Sequence, residues 1–265
     1  MAARTLQQRF GSFVLGAVNG ITVEQWPSRI QLQADTQPRV QGDGSVLVRR
    51  RAIGQQFSIA GGIIGVDTGE IRDRIDALYS ALVASEDYLS LYADRRVRCA
   101  LSDFRYERPP GTPTAAKWSA TFLARWPYWE SPTVVQSTHT ALTGVGPFTI
   151  ALASNSGTAP TWPIIRITNK AAVSIGPIVL SVSSVISTKT LQLGGLSLIS
   201  GQQVFVDMRE GRVGDGIGTP ARPSFLDGTF WSLANGVNTI ELAHNIGASA
   251  SLELVATWYP AFWTL

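Results

Sequence analysis

Side chains able to attack a substrate, move protons or bind metals near neutral pH are few in this 265-residue chain: His139, His244 and Cys99. A Ser–His–Asp relay needs a hydroxyl beside an imidazole and a carboxylate behind it, so two histidines leave one arithmetically open. The G-x-S-x-G turn that would present the serine is absent. Zinc is short of ligands, since there is one cysteine and no H-E-x-x-H. Asp207, Asp215 and Asp227 offer oxygen ligands for Ca²⁺ but lack the spacing of a calcium loop. The stretch VGDGIG (Val213–Gly218) has the glycines of a phosphate loop. Such a loop must open a helix, whereas this one runs into TPARPSFLDG, where prolines exclude a helix. The expectation is a chain with no catalytic residue, no cofactor and no metal site.

The elements that would position such groups read as mainly β. One helix is expected at about 68–84, in DTGEIRDRIDALYSALVAS. Asp67 or Thr68 can cap it, Glu70 sits where a capping box places its acid, and Ile71, Ile75, Leu78 and Leu82 form one apolar stripe. Around it, YLSLY, RVRCAL and WSATFLARW alternate apolar and polar residues at the strand period, as does SRIQLQAD upstream. Residues 35–62 read as a long, polar, glycine-dotted β-hairpin arm turning at Gly42-Asp43-Gly44. After residue 131, FTIALA, WPIIRIT, PIVLSVSSV, KTLQL, QVFVDM, TFWSLA, NTIEL and SLELVATWY read as strands separated by Gly, Asn, Pro and Ser turns. Many short strands without a helix imply a sandwich or barrel. Two domains are therefore expected: 1–131, a β-sandwich with the helix and the arm, and 132–265, all β. In FLARWPYWESP the first domain ends. Phe122 and Trp126 point inward, Pro127 removes a ladder donor, and Tyr128 and Trp129 are expected to pack between the domains.

Composition narrows the function. Hydrophobic residues make up 45% of the chain and charged residues 15%, which suits a protein whose surface is partly covered by partners. The net charge of +3 arises wholly in residues 1–130, which hold 16 basic and 13 acidic residues, against 6 of each in the remainder. Nineteen of the 22 basic residues are Arg, the residue suited to bidentate and stacked contacts at interfaces. The runs at Arg49–Arg51 and Arg95–Arg98 are too short for the basic stripe of a nucleic-acid binder, so subunit or solvent contacts are expected of them. One cysteine allows no internal disulfide, and no run approaches the ~20 apolar residues of a membrane span. Without a secretory signal at the N-terminus, folding in a reducing host cytoplasm is expected. Eight tryptophans raise the alternative of a glycan platform, but Trp118 and Trp126 lie on an apolar strand face and Trp162 precedes a proline.

The order of these elements resembles the distal tail proteins of long-tailed bacteriophages, the Dit-like family. The resemblance rests on the capped helix, LSLYADRRVRCAL, and the strand ending in aromatic–Pro–aromatic. It rests also on NSGTAPTWPIIRI (Asn155–Ile167), GQQVFVDM (Gly201–Met208), NGVNTIEL (Asn235–Leu242) and a final W-Y-P (Trp258–Pro260). It implies a galectin-like C-terminal sandwich, without the sugar-holding set. It also implies a homo-oligomeric, six-membered ring at the distal end of the virion tail, joining the tail tube protein to the tail-tip or baseplate hub. Tape measure protein and adhesins are further implied partners, with DNA only in passage through a central channel and no membrane contact. The arm would then act as a belt, with Arg49, Arg50 and Arg51 pairing with acidic groups of the adjacent protomer or the tube. The alternatives are a carbohydrate- or receptor-binding module of the tail tip, another β-rich virion element, and, last, an enzyme.

Overall fold

The computed structural model describes residues 6–16, 19–25, 32–38, 45–52, 55–83, 86–126, 128–183, 188–194, 196–214, 225–244 and 251–263. The chain is mainly β with one helix among the described residues, and divides into two compact units. One contains the residues up to Pro132 together with Trp263; the other is Thr133–Phe262.

The first unit holds strands β1 (Leu6–Phe10), β2 (Phe13–Val14), β3 (Leu32–Pro38), β4 (Ser45–Ala52) and β5 (Gln55–Ile64). Helix α1 (Thr68–Val83) follows, then β6 (Asp87–Tyr92), β7 (Arg95–Glu107), β8 (Ala115–Ala124) and β9 (Trp129–Glu130). An antiparallel sheet runs in the order β2-β1-β6-β7-β8-β5, and β9 adds to β7. The 13-residue β7 changes partner midway: it pairs with β6 up to Cys99 and with β8 from Ala100 onward, with a bulge between Leu101 and Asp103. This lets the sheet close over itself. Phe10 of β1 and Phe122 of β8 are not on neighbouring strands, yet their ring centroids are 5.6 Å apart, and Phe57 stacks on Phe122 at 5.8 Å. Ile71, Ile75, Leu78 and Leu82 of α1 are buried, as their spacing requires. Asp67 is the cap: its Oδ1 accepts from the Glu70 amide at 2.8 Å, and the Glu70 carboxylate accepts from the Val66 amide.

Two expectations need correction here. Residues 55–62 do not belong to the arm but to β5, which pairs with β8 along its whole length and buries Phe57, Ile59 and Ile63. Their alternation is that of a core strand, with Gly61 and Gly62 disguising it. Gly61 is glycine because residues 20–25 cross it: a Cβ there would lie 1.8 Å from the Thr22 carbonyl oxygen. That oxygen accepts from Trp118 Nε1 at 3.1 Å, so the indole reaches past the bare glycine. The arm itself is the β3–β4 pair, with Pro38 opposite Ser45. The turn at 42–44 falls outside the described residues, as do Ile30 and Pro127.

The second unit is a sandwich of two five-stranded antiparallel sheets. One contains β10 (Val135–Thr143), β12 (Ile164–Asn169), β15 (Gln203–Asp207), β16 (Arg212–Gly214) and β19 (Ser251–Trp258). The other contains β11 (Phe148–Ala151), β13 (Ile178–Ser183), β14 (Thr188–Gly194), β17 (Phe225–Gly228) and β18 (Thr239–His244). The short β20 is Ala261–Phe262. Ile165, Ile167, Val204, Val206, Leu254 and Trp258 of one sheet meet Leu180, Leu191, Leu193, Ile240 and Leu242 of the other in one core. TFWSLA is not a strand. Trp231 and Leu233 are buried, which produces the alternation, but only Leu233 bridges the backbone, to Thr161. Strand β10 goes unlisted among the sequence-derived strands because its phase breaks: the register with β19 shifts between His139 and Leu142, around Ala141 at φ 57°.

Candidate interaction surface

The groups singled out for chemistry are mostly occupied by structure. Cys99 is wholly buried on the inner side of β7, and desolvation pushes its thiol far above the ordinary range, which leaves it unreactive. Asp207 Oδ1 accepts from the amides of Arg209 and Glu210 at 2.9 and 3.0 Å, closing the turn from β15 into β16. Asp227 Oδ1 binds the Gly228 amide at 2.7 Å, and Asp215 lies outside the described residues. Of VGDGIG only Val213 and Gly214 are described, as the end of β16. Among the described residues no three His, Cys, Asp or Glu side chains converge.

The structure does bring one nucleophile–base pair together: Ser137 Oγ and His139 Nε2 are 2.9 Å apart on β10. Both face inward, opposite Ala256 and Leu254 of β19, and the Ala153 amide also donates to the serine oxygen. No described carboxylate orients the imidazole, and Ser137 is buried rather than presented to a cleft. His244, at the end of β18, is tilted against Phe148 at 5.4 Å, and desolvation holds its pKa below the ordinary histidine value.

The buried polar residues of the second unit explain its Asn-rich motifs. Asn155 donates to the Ala234 carbonyl at 3.0 Å and accepts from the Gly157 amide at 3.1 Å. Asn238 donates to Ala234 and Gly236 and accepts from the Ala234 amide. Asn169 donates to the carbonyls of Val173 and Leu198, both at 2.7 Å, and accepts from Ala171. These are side-chain staples for turns, and each satisfies backbone groups that would otherwise be buried unpaired.

The sheet of the first unit carries a row of polar residues, half-buried at Arg9 and Arg96 and buried at Ser90 and Glu130. Across four strands the register aligns Arg9 of β1, Ser90 of β6, Arg96 of β7 and Glu130 of β9. Val97 and Cys99 of β7 point in, so Arg96 and Arg98 point out. The Arg96 guanidinium lies 4.0 Å over the Tyr88 ring, and Arg98 Nη2 is 3.3 Å from Glu86 Oε2. Arg95 pairs with Asp94 at 2.9 Å. The sequence signalled RRVR but not Arg9, Tyr88 or Glu130. The matching outward phase of YLSLY across the hairpin could have found Tyr88.

The other expected contact residues are placed as follows. Arg49, Arg50 and Arg51 lie on β4, opposite Asp35, Ala34 and Gln33 of β3. Tyr128 is half-buried, edge-on to Trp263 at 5.1 Å within the first unit, and desolvation raises its pKa. Trp129 is buried, tilted against Phe57 at 6.4 Å. Trp126 is half-buried just beyond β8.

No family model and no curated protein matches the chain. Among solved structures, the fold is similar to that of the SPP1 Dit (gp 19.1) protein, described as a paradigm of the hub adsorption apparatus in Gram-positive infecting phages. The match has a TM-score of 0.68 and 16% identity, and covers 96% of this chain and 98% of that one. A chain of the phage P2 baseplate in its activated conformation with Ca is similar at a TM-score of 0.42 and 9% identity, covering 89% of each chain. At 16% identity the fold is what is shared, and it is shared through both units: this chain has the fold of SPP1 Dit.

Proposed function

We propose that the protein is a structural hub subunit of a phage tail: one protomer of a homo-oligomeric ring at the distal end of the tube. The ring joins the tube to the tail tip or baseplate and leaves a central channel through which DNA passes. The observation that carries this reading is fold similarity to a hub protein over nearly the whole of both chains. Exposed arginines on the first unit, Arg72, Arg98, Arg105 and Arg108 among them, support it as the kind of residue that protein contacts favour. The ring is a hexamer, the second unit is a galectin-like sandwich, and Tyr128 and Trp129 pack where the units join. Arg49, Arg50 and Arg51 contact acidic groups of the next protomer or of the tube protein; tape measure protein and adhesins are further partners. Assembly takes place in the host cytoplasm.

Light scattering of the purified protein, with negative-stain images, tests the reading. A six-fold mass and a ring with a central hole are expected. A stable monomer in the absence of other tail proteins, with saturable binding of cell-wall sugar, overturns it in favour of a glycan-binding module. Replacement of Arg49–Arg51 by alanine is expected to lower the yield of rings and tails. Wild-type yield from that variant removes the belt contact.

A further inference from the structure

The N-terminal half of α1 and the far end of β7 line a half-open cavity of about 560 Å³ whose walls include Thr68, Arg72, Ile75, Asp76, Tyr106 and Arg108. The first turns of the helix supply one wall, and the end of β7 with the residue after it supplies the other. Tyr79, one turn after Ile75, packs its ring on Phe104 at 5.5 Å.

The lining is chemically mixed in a way that selects an occupant. Arg72 and Arg108 are exposed and form no ion pair among the described residues, unlike Arg74, Arg95, Arg98, Arg105 and Arg166, each of which has a carboxylate partner. The Tyr106 ring is 56% exposed beside them, and Ile75 supplies a buried apolar floor. Asp76 adds one carboxylate acceptor. Two guanidiniums call for a negative group, and Tyr and Arg together are the residues enriched at protein contacts. A phosphate backbone has only acceptors and would leave Asp76 without a donor. A neutral sugar would leave both guanidiniums without a counter-charge. A peptide meets every wall: its acidic side chains or terminal carboxylate serve the arginines, its amides donate to Asp76, and an apolar side chain rests on Ile75 and Tyr106. The volume lies within the range of built ligand pockets.

We propose that this cavity is a docking pocket for an acidic peptide segment of a partner protein, held by Arg72 and Arg108 with Tyr106 as its apolar wall. The inference does not depend on the ring, and its test uses the purified full-length chain in whatever state of assembly it adopts. The probe is fluorescein-labelled hexaglutamate, followed by fluorescence anisotropy at low and rising salt. Saturable binding to the wild type is expected, with at least about tenfold weaker binding by R72E/R108E. Y106A is expected to weaken binding by a smaller factor, and R212E, on β16 of the second unit, to leave it unchanged. Because all these positions are exposed, unchanged circular dichroism is expected to accompany them, and R72Q/R108Q gives the same ranking without charge reversal. Equal affinity of wild type and R72E/R108E, or loss of binding in R212E instead, overturns the proposal. So does oligothymidylate that binds more tightly than hexaglutamate and is released by the same double substitution.

Discussion

A row of residues across four strands can be followed in each unit, half-buried to buried in the first and mostly exposed in the second, and the two rows differ in kind. In the first unit it reads Arg9, Ser90, Arg96, Glu130, with Arg96 stacked on Tyr88. In the second it reads Thr149, Glu241, Ser181, Thr190, with a 3.1 Å contact between the last two hydroxyls. The interiors differ as well. Aromatic rings fill the first unit: Phe10, Phe57, Phe122 and Trp129. Aliphatic residues fill most of the second, and buried asparagines staple its turns. Short hydroxyl side chains satisfy themselves and water. Guanidiniums packed on a ring are a kind of group that protein contacts favour, so the first unit is the one to probe for contacts.

The largest expected effect separates the units by stability. Gly61→Val places side-chain atoms on the Thr22 carbonyl and should cost more than about 4 kcal/mol, as severe buried clashes do. Hydrogen exchange should then rise across β5, β8 and α1 while β12, β13 and β18 keep their protection. Equal loss in both units would show that they fold as one and would break the comparison.

Next in size is Asn155→Ala, which orphans the Gly157 amide, leaves the Ala234 carbonyl to Asn238 alone, and should cost about 1–3 kcal/mol. Denaturant titration followed by exchange should place the loss in the second unit alone, with the mass of the assembly unchanged. A change in assembly would move contact-making into the second unit as well.

Arg98→Glu reverses the pattern. Its exposed pair with Glu86 contributes at most about 1 kcal/mol, so the denaturation midpoint should hold. The mass in solution should fall, because repulsion replaces attraction at the contact face. Unchanged mass would leave the arginine row a solvated surface.

The smallest effect concerns pH. Burial depresses the pKa of His244 below its ordinary 6.5, so the unfolded chain binds the proton first as pH falls. Its contribution to stability is complete above that value and is lost as pH drops through the interval beneath it. The wild type should therefore show a lower denaturation midpoint at pH 5.5 than at 7.5, by more than His244→Gln does. Identical slopes would assign the pH dependence to other groups.

Helix α1 was legible in the sequence because cap and stripe agree, Asp67 with Glu70 and Ile71 with Ile75, Leu78 and Leu82. Strands β6 to β8 were legible because one face alternates cleanly. Strand β5 was hidden by Gly61 and Gly62, whose missing side chains are what lets residues 20–25 cross. Strand β10 was hidden by a bulge that shifts its phase. The contact surface was only half legible. Arg95–Arg98 is visible as a run, but Arg9 joins it through pairing distant in sequence, and Arg72 and Arg108 share one cavity only because helix and strand pack side by side. Spacing along one element cannot report a meeting of two.

Cys99 has a use that follows from its position. It is the chain's one thiol, fully buried in the first unit at the point where β7 changes partners. A disulfide reagent can reach it only through openings of that unit, so the rate of thiol labelling in the native protein times those openings directly. The second unit, lacking a thiol, stays silent. Run before and after assembly, the same reaction measures how firmly neighbouring molecules hold the first unit shut.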